Sequence, residues 1–374
     1  MRIGATGMVT PPGRAVIRTA QQQEAAGFDS VWWPDHLMAW HPQSIWTEEF
    51  TPLAARQPNA HLFLDMVACM TAAAVSTERI RIGSSVTDPV RRHPAMLAQE
   101  FLSIDHFSAG RCIFGIGTGE GENAIPYGLR IDRPASRVEE ALQIIRTLWE
   151  SEGPVSVDSR FWPHRDATLG LGPVAGGRFP PIWVAAHGPR MLEIAGRLGD
   201  GWLPMLLAPD DYRARLTRIL DARRAAGVDR PFEAGVWTYA CIGESKEDCL
   251  RLFEAPVYKV LALQLPAAVF EEAGVAPPLG PGSYGLDDFI PSRWGREDIL
   301  GVLERIPPEL VGRVILHGSP DDVAADLRAL EAAGCEHAVL WNISFLTDVS
   351  RLAPSFAAQA EVMRALQGPA AVPA

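Results

Sequence analysis

Residues 24–33 read EAAGFDSVWW, and the same order of chemistry returns as GRLGDGWLP (196–204) and EAAGCEHAVLW (331–341). Each time a helix-forming stretch stops at a glycine, one or two polar residues follow, and a β-branched or aromatic run begins. Glycine suits the left-handed residue that ends a helix, and the run suits a strand. Further strand candidates are RIRIGSSV (79–86), RCIFGIG (111–117), PIWVAA (181–186), FEAGVWTYACI (232–242) and RVILHG (313–318). Amphipathic helical patterns separate them at 15–26, 93–107, 135–151, 188–197, 209–225 and 320–332. Strands that are apolar throughout are buried on both faces, which implies a parallel sheet covered by helices. Alternation kept up along the whole chain fits a (β/α)8 TIM barrel, one domain over residues 1–374. A doubly wound sheet is the alternative.

Composition narrows the function. The 374 residues are 47% hydrophobic and 21% charged, values of a globular chain. A net charge of −11 argues against a nucleic-acid surface, which needs a basic face. No apolar run is long enough to span a bilayer and no signal-peptide pattern opens the chain, so a cytoplasmic location is expected. Cys69, Cys112, Cys241, Cys249 and Cys335 are scattered, without CxxC spacing. They read as reduced core thiols, and with HExxH also missing no metal site is expected. Three stretches near 37–60, 153–180 and 265–300 interrupt the rhythm with Pro, Gly and aromatic residues. Long loops of this kind are surface elaboration or binding walls, and their apolar content favours walls.

Polar residues cluster after the strand candidates. Asp35 and His36 follow SVWW; Ser84, Ser85, Thr87 and Asp88 close or follow RIRIGSSV; Thr118, Glu120 and Asn123 follow RCIFGIG; His187, Gly188 and Arg190 follow PIWVAA. In a parallel barrel all strand ends of this type open on one face, where barrel active sites lie. His36 could otherwise be a structural histidine, Asp35 a turn cap, and Glu120 a solvated loop carboxylate. GIGTGEGEN is not a dinucleotide fingerprint, because a glutamate (Glu120 or Glu122) takes the third glycine position. In AAHGPR, Gly188 as N-cap and Pro189 as first helical residue leave free N–H groups for an anion. Arg91, Arg92 and His93 form a local basic spot, either a solvated helix start or an anchor for an anionic cofactor tail.

WWPDHLMAW, IGSSVTDPVRRHPAMLAQ, GIGTGEGEN, PIWVAAHGPRMLEIAGRLGDGW and HGSPDDVAADLRALEAAGCEHAVLW together resemble the bacterial luciferase-like flavin and deazaflavin superfamily. Within it the chain is most similar to the coenzyme F420-dependent branch and its phthiodiolone dimycocerosate ketoreductases. The resemblance implies a TIM barrel with a deazaflavin across the strand C-terminal ends. It implies Asp35 against the ring system, His36 as proton donor or electrostatic partner, Trp40 on the reacting face and Glu120 as a catalytic carboxylate. A cis Ser85–Val86 bond would bulge behind the ring. Thr118, Gly119 and Asn123 would hold the cofactor, and His187, Gly188, Arg190 and Met191 its phosphate end. Asp88 replaces a cofactor-contacting threonine of the glucose-6-phosphate dehydrogenases in that branch. Met205 and Ala208 stand where those enzymes hold the sugar phosphate, so a sugar phosphate is a poor substrate.

The expected reaction is hydride transfer between the deazaflavin C5 and a carbonyl or carbinol carbon of a lipophilic ketone or alcohol. Histidine suits the accompanying proton transfer because imidazole ordinarily titrates near neutrality. Trp46, Phe50, Phe161, Trp162, Tyr284, Phe289 and Trp294, from the interrupting stretches, are expected to bury that substrate or to cement the loops. An FMN-dependent two-component monooxygenase and a non-catalytic flavin-binding relative are the alternatives. Homodimers are common in the family.

Overall fold

The computed structural model describes residues 1–174 and 177–367. Among the described residues eleven strands form: β1 Arg2–Thr6, β2 Ser30–Trp33, β3 Arg81–Ser84, β4 Cys112–Ile116, β5 Val155–Val157, β6 His164–Ala167, β7 Ile182–Val184, β8 Gly201–Trp202, β9 Glu233–Ile242, β10 Ile315–Gly318 and β11 His337–Asn342. Eight of them close a parallel barrel in the order β1-β2-β3-β4-β7-β8-β9-β11, with β11 returning to β1. The (β/α)8 expectation holds, with two changes of membership. β1 belongs to the ring although its short RIGAT run gives little sequence signal. β10, read from the sequence as a ring strand, lies outside it: β8 aligns with Glu233 and Ala234 at one end of β9, and β10 with Tyr239–Ile242 at the other.

Helices α1 Gly13–Ala25, α2 Met66–Ser76, α3 Pro94–Phe107, a one-turn α4 Gly121–Ala124, α5 Pro134–Glu150, α6 Pro189–Leu198 and α7 Pro209–Ala225 cover the first part of the ring. α2 escapes a periodicity reading because MVACMTAAAVS is apolar on all sides. The barrel lumen is filled by Trp32, Ile113, Trp183, Leu203 and Val339. Trp32 and Trp183 meet with ring centroids 5.3 Å apart. Their bulk is accommodated by missing side chains on neighbouring strands: a Cβ on Gly83 would fall 2.3 Å from the Trp32 ring. At the closed end of the barrel, Arg81 donates to both Glu233 oxygens at 2.9 and 3.0 Å, and buried His337 lies 2.9 Å from the same carboxylate.

Short 3-10 turns occupy 43–55, the β5–β6 pair lies within 153–180, and the segment that contains 265–300 extends over the whole β9–β10 connection. Between β9 and β10 the chain builds α8 Lys246–Leu252, α9 Pro256–Lys259, α10 Ala267–Glu272, α11 Gly285–Asp288, α12 Arg296–Leu303 and α13 Pro308–Val311. This segment packs into a second core around Phe253, Tyr258, Leu261 and Phe289, which Trp40, Ile45, Tyr239, Ile315 and Ile343 also join. The aliphatic run before residue 265 fits strand or helix equally, so periodicity does not delimit it. The second interruption carries the antiparallel β5–β6 pair, and its residues 175–176 lie outside those described. α14 Pro320–Ala332 and α15 Leu352–Gln367 complete the layer. All five cysteines are free and buried, as expected of core thiols.

Candidate active site

The C-terminal ends of the ring strands open on a pocket of about 310 Å³. His36, Trp40, Ser85, Val86, Asp88, Thr118, Gly119, Glu120, His187, Gly188 and Met191, all singled out from sequence, contribute to its wall. They come from the loops after β2, β3, β4 and β7, which the barrel brings to one mouth. The Ser85–Val86 peptide bond is cis, as the resemblance implied.

His36 and Glu120 meet across two loops, Nε2 to Oε2 at 3.2 Å. The imidazole stacks on Phe63, with centroids 5.5 Å apart. Its Nδ1 donates to the Met38 carbonyl at 3.2 Å, which leaves Nε2 as the nitrogen facing Glu120. Buried Asn123 fixes both loops. Its side-chain oxygen accepts from the Leu37 and Met38 N–H groups at 2.7 and 2.9 Å, and its amide donates to Glu120 and Glu122. Asn123 is a bracket behind the pocket wall.

Glu122 is the least expected group here. It is fully buried; Oε1 accepts from Asn123 at 3.0 Å and Oε2 has no partner among the described residues. Its carboxyl oxygen, one from Glu120 and a ring nitrogen of His36 lie within 4.8 Å of one another. Burial, reinforced by the neighbouring Glu120 charge, pushes the Glu122 pKa well above the ordinary carboxylate value.

Asp35 also lies behind the pocket surface. It accepts from Thr87 at 2.7 Å, from Arg92 at 2.9 and 3.1 Å, and faces Arg91 at 3.3 Å. Burial opposes its charge, but the Arg92 hydrogen bonds and the Arg91 and Arg92 charges outweigh it and hold the carboxyl below its usual range. Asp88 caps the following turn through the Val90 and Arg91 N–H groups and holds Arg91 Nε at 2.6 Å, leaving that guanidinium in the pocket wall. The basic spot therefore divides: Arg91 lines the pocket, Arg92 anchors Asp35, and His93 caps α3. Gly119 has φ +84°, a conformation side chains disfavour, and a Cβ there would press 3.1 Å from Asp88.

α6 begins at the pocket. Gly188 is its N-cap, no acidic residue occupies its first turn, and a Cβ on Gly188 would meet nothing within 4 Å. Burial pushes His187 down to about 4, so its neutral Nε2 accepts from the Met205 N–H at 3.1 Å. Arg190 is exposed, ion-paired to Glu139 at 3.2 Å, and forms no part of the pocket wall.

Other wall residues were not singled out. Trp237 and Tyr239 on β9 and Trp341 on β11 form an aromatic panel, with centroids 4.8 to 5.9 Å apart. The two-residue spacing of Trp237 and Tyr239 is the strand period and could have flagged them. Of the loop aromatics expected to bury a substrate, only Tyr284 reaches the pocket. Phe289 packs on Trp40 and Trp294 on Phe289, Phe50 lies under Arg296, Phe161 and Trp162 under Arg137, and Trp46 binds the Gln57 carbonyl. These side chains cement loops.

The profile of the luciferase-like monooxygenase family matches residues 1–337. The chain belongs to that family. A phthiodiolone/phenolphthiodiolone dimycocerosates ketoreductase of Mycobacterium tuberculosis is 34% identical over 368 residues, covering 96% of this chain and 94% of the relative. Among solved structures, an F420-dependent secondary alcohol dehydrogenase in complex with an F420–acetone adduct superposes with a TM-score of 0.74 at 21% identity, covering 98% of each chain. An FMN-bound 3,6-diketocamphane monooxygenase component from Pseudomonas putida gives 0.66 at 18%, covering 100% and 99%. At these identities the two structures speak for the fold alone. This luciferase-like protein is an oxidoreductase.

Proposed function

We propose that the protein is a coenzyme F420-dependent oxidoreductase acting on the carbonyl or carbinol carbon of a lipophilic substrate. The observation that carries this reading is the His36–Glu120 pair at 3.2 Å on the pocket wall. An imidazole held by a carbonyl on one nitrogen and facing a carboxylate with the other suits proton transfer to and from oxygen.

The residues present fit a planar, polar-edged cofactor. Ser85 Oγ and Trp237 Nε1, both from wall residues, are buried without partners among the described residues, and such a group would satisfy them. Gly119, Thr118 and the cis Ser85–Val86 segment would hold the ring, and the Gly188 end of α6 with Arg91 its anionic portion. When bound, the deazaflavin supplies or takes the hydride at C5.

The chain's own work is the proton and the environment. His36 Nε2 gives a proton to the substrate oxygen during reduction or takes it during oxidation, and Glu120 stabilises the imidazolium. Trp237, Tyr239 and Trp341 exclude water, which strengthens that ion pair. The 34% identity to the phthiodiolone/phenolphthiodiolone dimycocerosates ketoreductase supports a lipophilic ketone. Met205 and Ala208 offer no cation for a sugar phosphate. A cytoplasmic homodimer is part of the proposal. No described helix is long and apolar enough to cross a membrane, and Val75, Met96 and Phe107 on α2 and α3 are exposed. Sedimentation would test the dimer.

Titration of the protein with F420 and with FMN, followed by fluorescence quenching, tests the cofactor. Tighter binding of F420 is expected. Binding of FMN alone would move the protein to flavin monooxygenase chemistry.

A further inference from the structure

A second cavity, about 620 Å³, adjoins the central pocket. His187, Gly188, Met205, Gln264 and Tyr284 border both spaces, so one continues into the other. Its origin is the gap in the barrel's flank: β8 leaves β9 after the Met205–Trp237 bridge, and β10 joins β9 only from Tyr239 onward. On one side Leu206 and Leu207 pack against the main core; on the other Leu265 and Val269 pack against the core of the β9–β10 insertion. The cavity is therefore a seam between two apolar cores, of a size usual for small-molecule sites, roughly 300–1,000 Å³.

We infer that this side cavity holds the aliphatic part of the substrate, while the carbonyl end stays beside His36 in the central pocket. This rests on the lipophilic-ketone reading and gives the substrate's chain a place. The charges at the seam do not suit a polyanion such as an acidic cofactor tail. Arg215 donates to the His187 carbonyl at 2.7 Å and Asp326 is paired with Lys246 at 3.1 Å. Arg215, Arg313 and His317 line the seam beside Asp211 and Asp326, so its charges are of mixed sign and no block of unopposed cations compensates several carboxylates. A hydrocarbon chain asks only for exclusion of water, which the leucine and valine walls supply.

The F420-loaded protein would be assayed with methyl ketones of increasing chain length, as wild type and as Val269→Trp and Ala329→Trp. Val269 is half-buried and Ala329 exposed, and neither borders the central pocket, so at least the second variant should fold normally. In wild type, kcat/KM should rise about fourfold per methylene (about 0.8 kcal/mol) until the seam is full. In the variants long ketones should lose thirtyfold or more, with short-ketone turnover and F420 affinity within about twofold of wild type. Flat length dependence in wild type overturns the inference. So does weakened F420 binding in the variants, which would give the cavity to the cofactor. A neutral polyene-labelled long-chain ketone provides a readout without turnover: its fluorescence should rise with wild type and not with Val269→Trp. Probe binding without turnover of any ketone would sink the proposed reaction and leave the seam as a chain site. No probe binding sinks the seam whatever the turnover.

Discussion

His36 reaches the pocket on a loop whose backbone N–H groups are held by Asn123, 85 and 86 residues further along the chain. On the proposed mechanism, His36→Ala removes the proton-transfer group and keeps that bracket. F420 affinity should stay within about tenfold, or about 1.4 kcal/mol, while turnover falls by roughly 10²–10⁴. Unchanged turnover in steady-state assays would take His36 out of the mechanism. Glu122 gives a prediction in stability. Its unfolded carboxyl titrates near the model-compound value of 4.5 and its folded one well above, so the fold opposes ionisation. That penalty is absent below the ordinary carboxylate range and grows as pH rises through it. Glu122→Gln should therefore raise Tm at pH 7, with the gain closing toward pH 4. A gain equal at both pH values would mean that Glu122 is not held neutral. His36 and Glu120 were legible in the sequence because each follows a strand. The resemblance puts Asn123 and Asp35 on the cofactor, but their bracket role is not legible, because pairings across 52 to 86 residues leave no local pattern.

At the scale of elements, α6 puts its N-terminus at the pocket and β3, β9 and β11 share an ion cluster at the far end. Gly188→Asp has room for the new side chain and gives α6 a better N-cap, so the fold should be kept or strengthened. A carboxylate there would face the cofactor's anionic end, and F420 binding should weaken tenfold or more in fluorescence titration. Affinity and salt dependence equal to wild type would place the anion elsewhere. In the ion cluster, burial disfavours the Glu233 charge, but hydrogen bonds from His337 and Arg81 prevail and bring the carboxyl from 4.5 to about 2. The stabilisation, about 3 kcal/mol, is full above the unfolded value and lost as pH falls from 4.5 to about 2. Acid denaturation should show this loss, and Glu233→Gln should lower stability at pH 7 and flatten the curve below 4.5. A variant as stable as wild type at pH 7 would contradict it. Helices with one apolar stripe, such as α5, and strands solid with apolar residues, such as β4, read directly from the sequence. α2, uniformly apolar, and β10, a good strand sequence seated outside the ring, did not. Periodicity reports burial and says nothing of which neighbour a strand will find.

Across the whole molecule, a barrel core and an insertion core meet along a seam that continues into the active site, and the insertion that makes the seam is the part least legible in the sequence. Its short helices lack length for a clear period, and its aromatics serve mainly to fasten loops. What the molecule then presents is a histidine–glutamate pair on the wall of a pocket, with apolar space beside it. The most direct test is the absorbance of reduced F420 mixed anaerobically with the protein and a long-chain methyl ketone. The account predicts that the oxidised deazaflavin band returns in step with one alcohol formed per cofactor, and that oxidised F420 with glucose 6-phosphate gives no change. No return of the band with any apolar ketone, together with oxygen uptake supported by reduced FMN or efficient oxidation of glucose 6-phosphate, would contradict it.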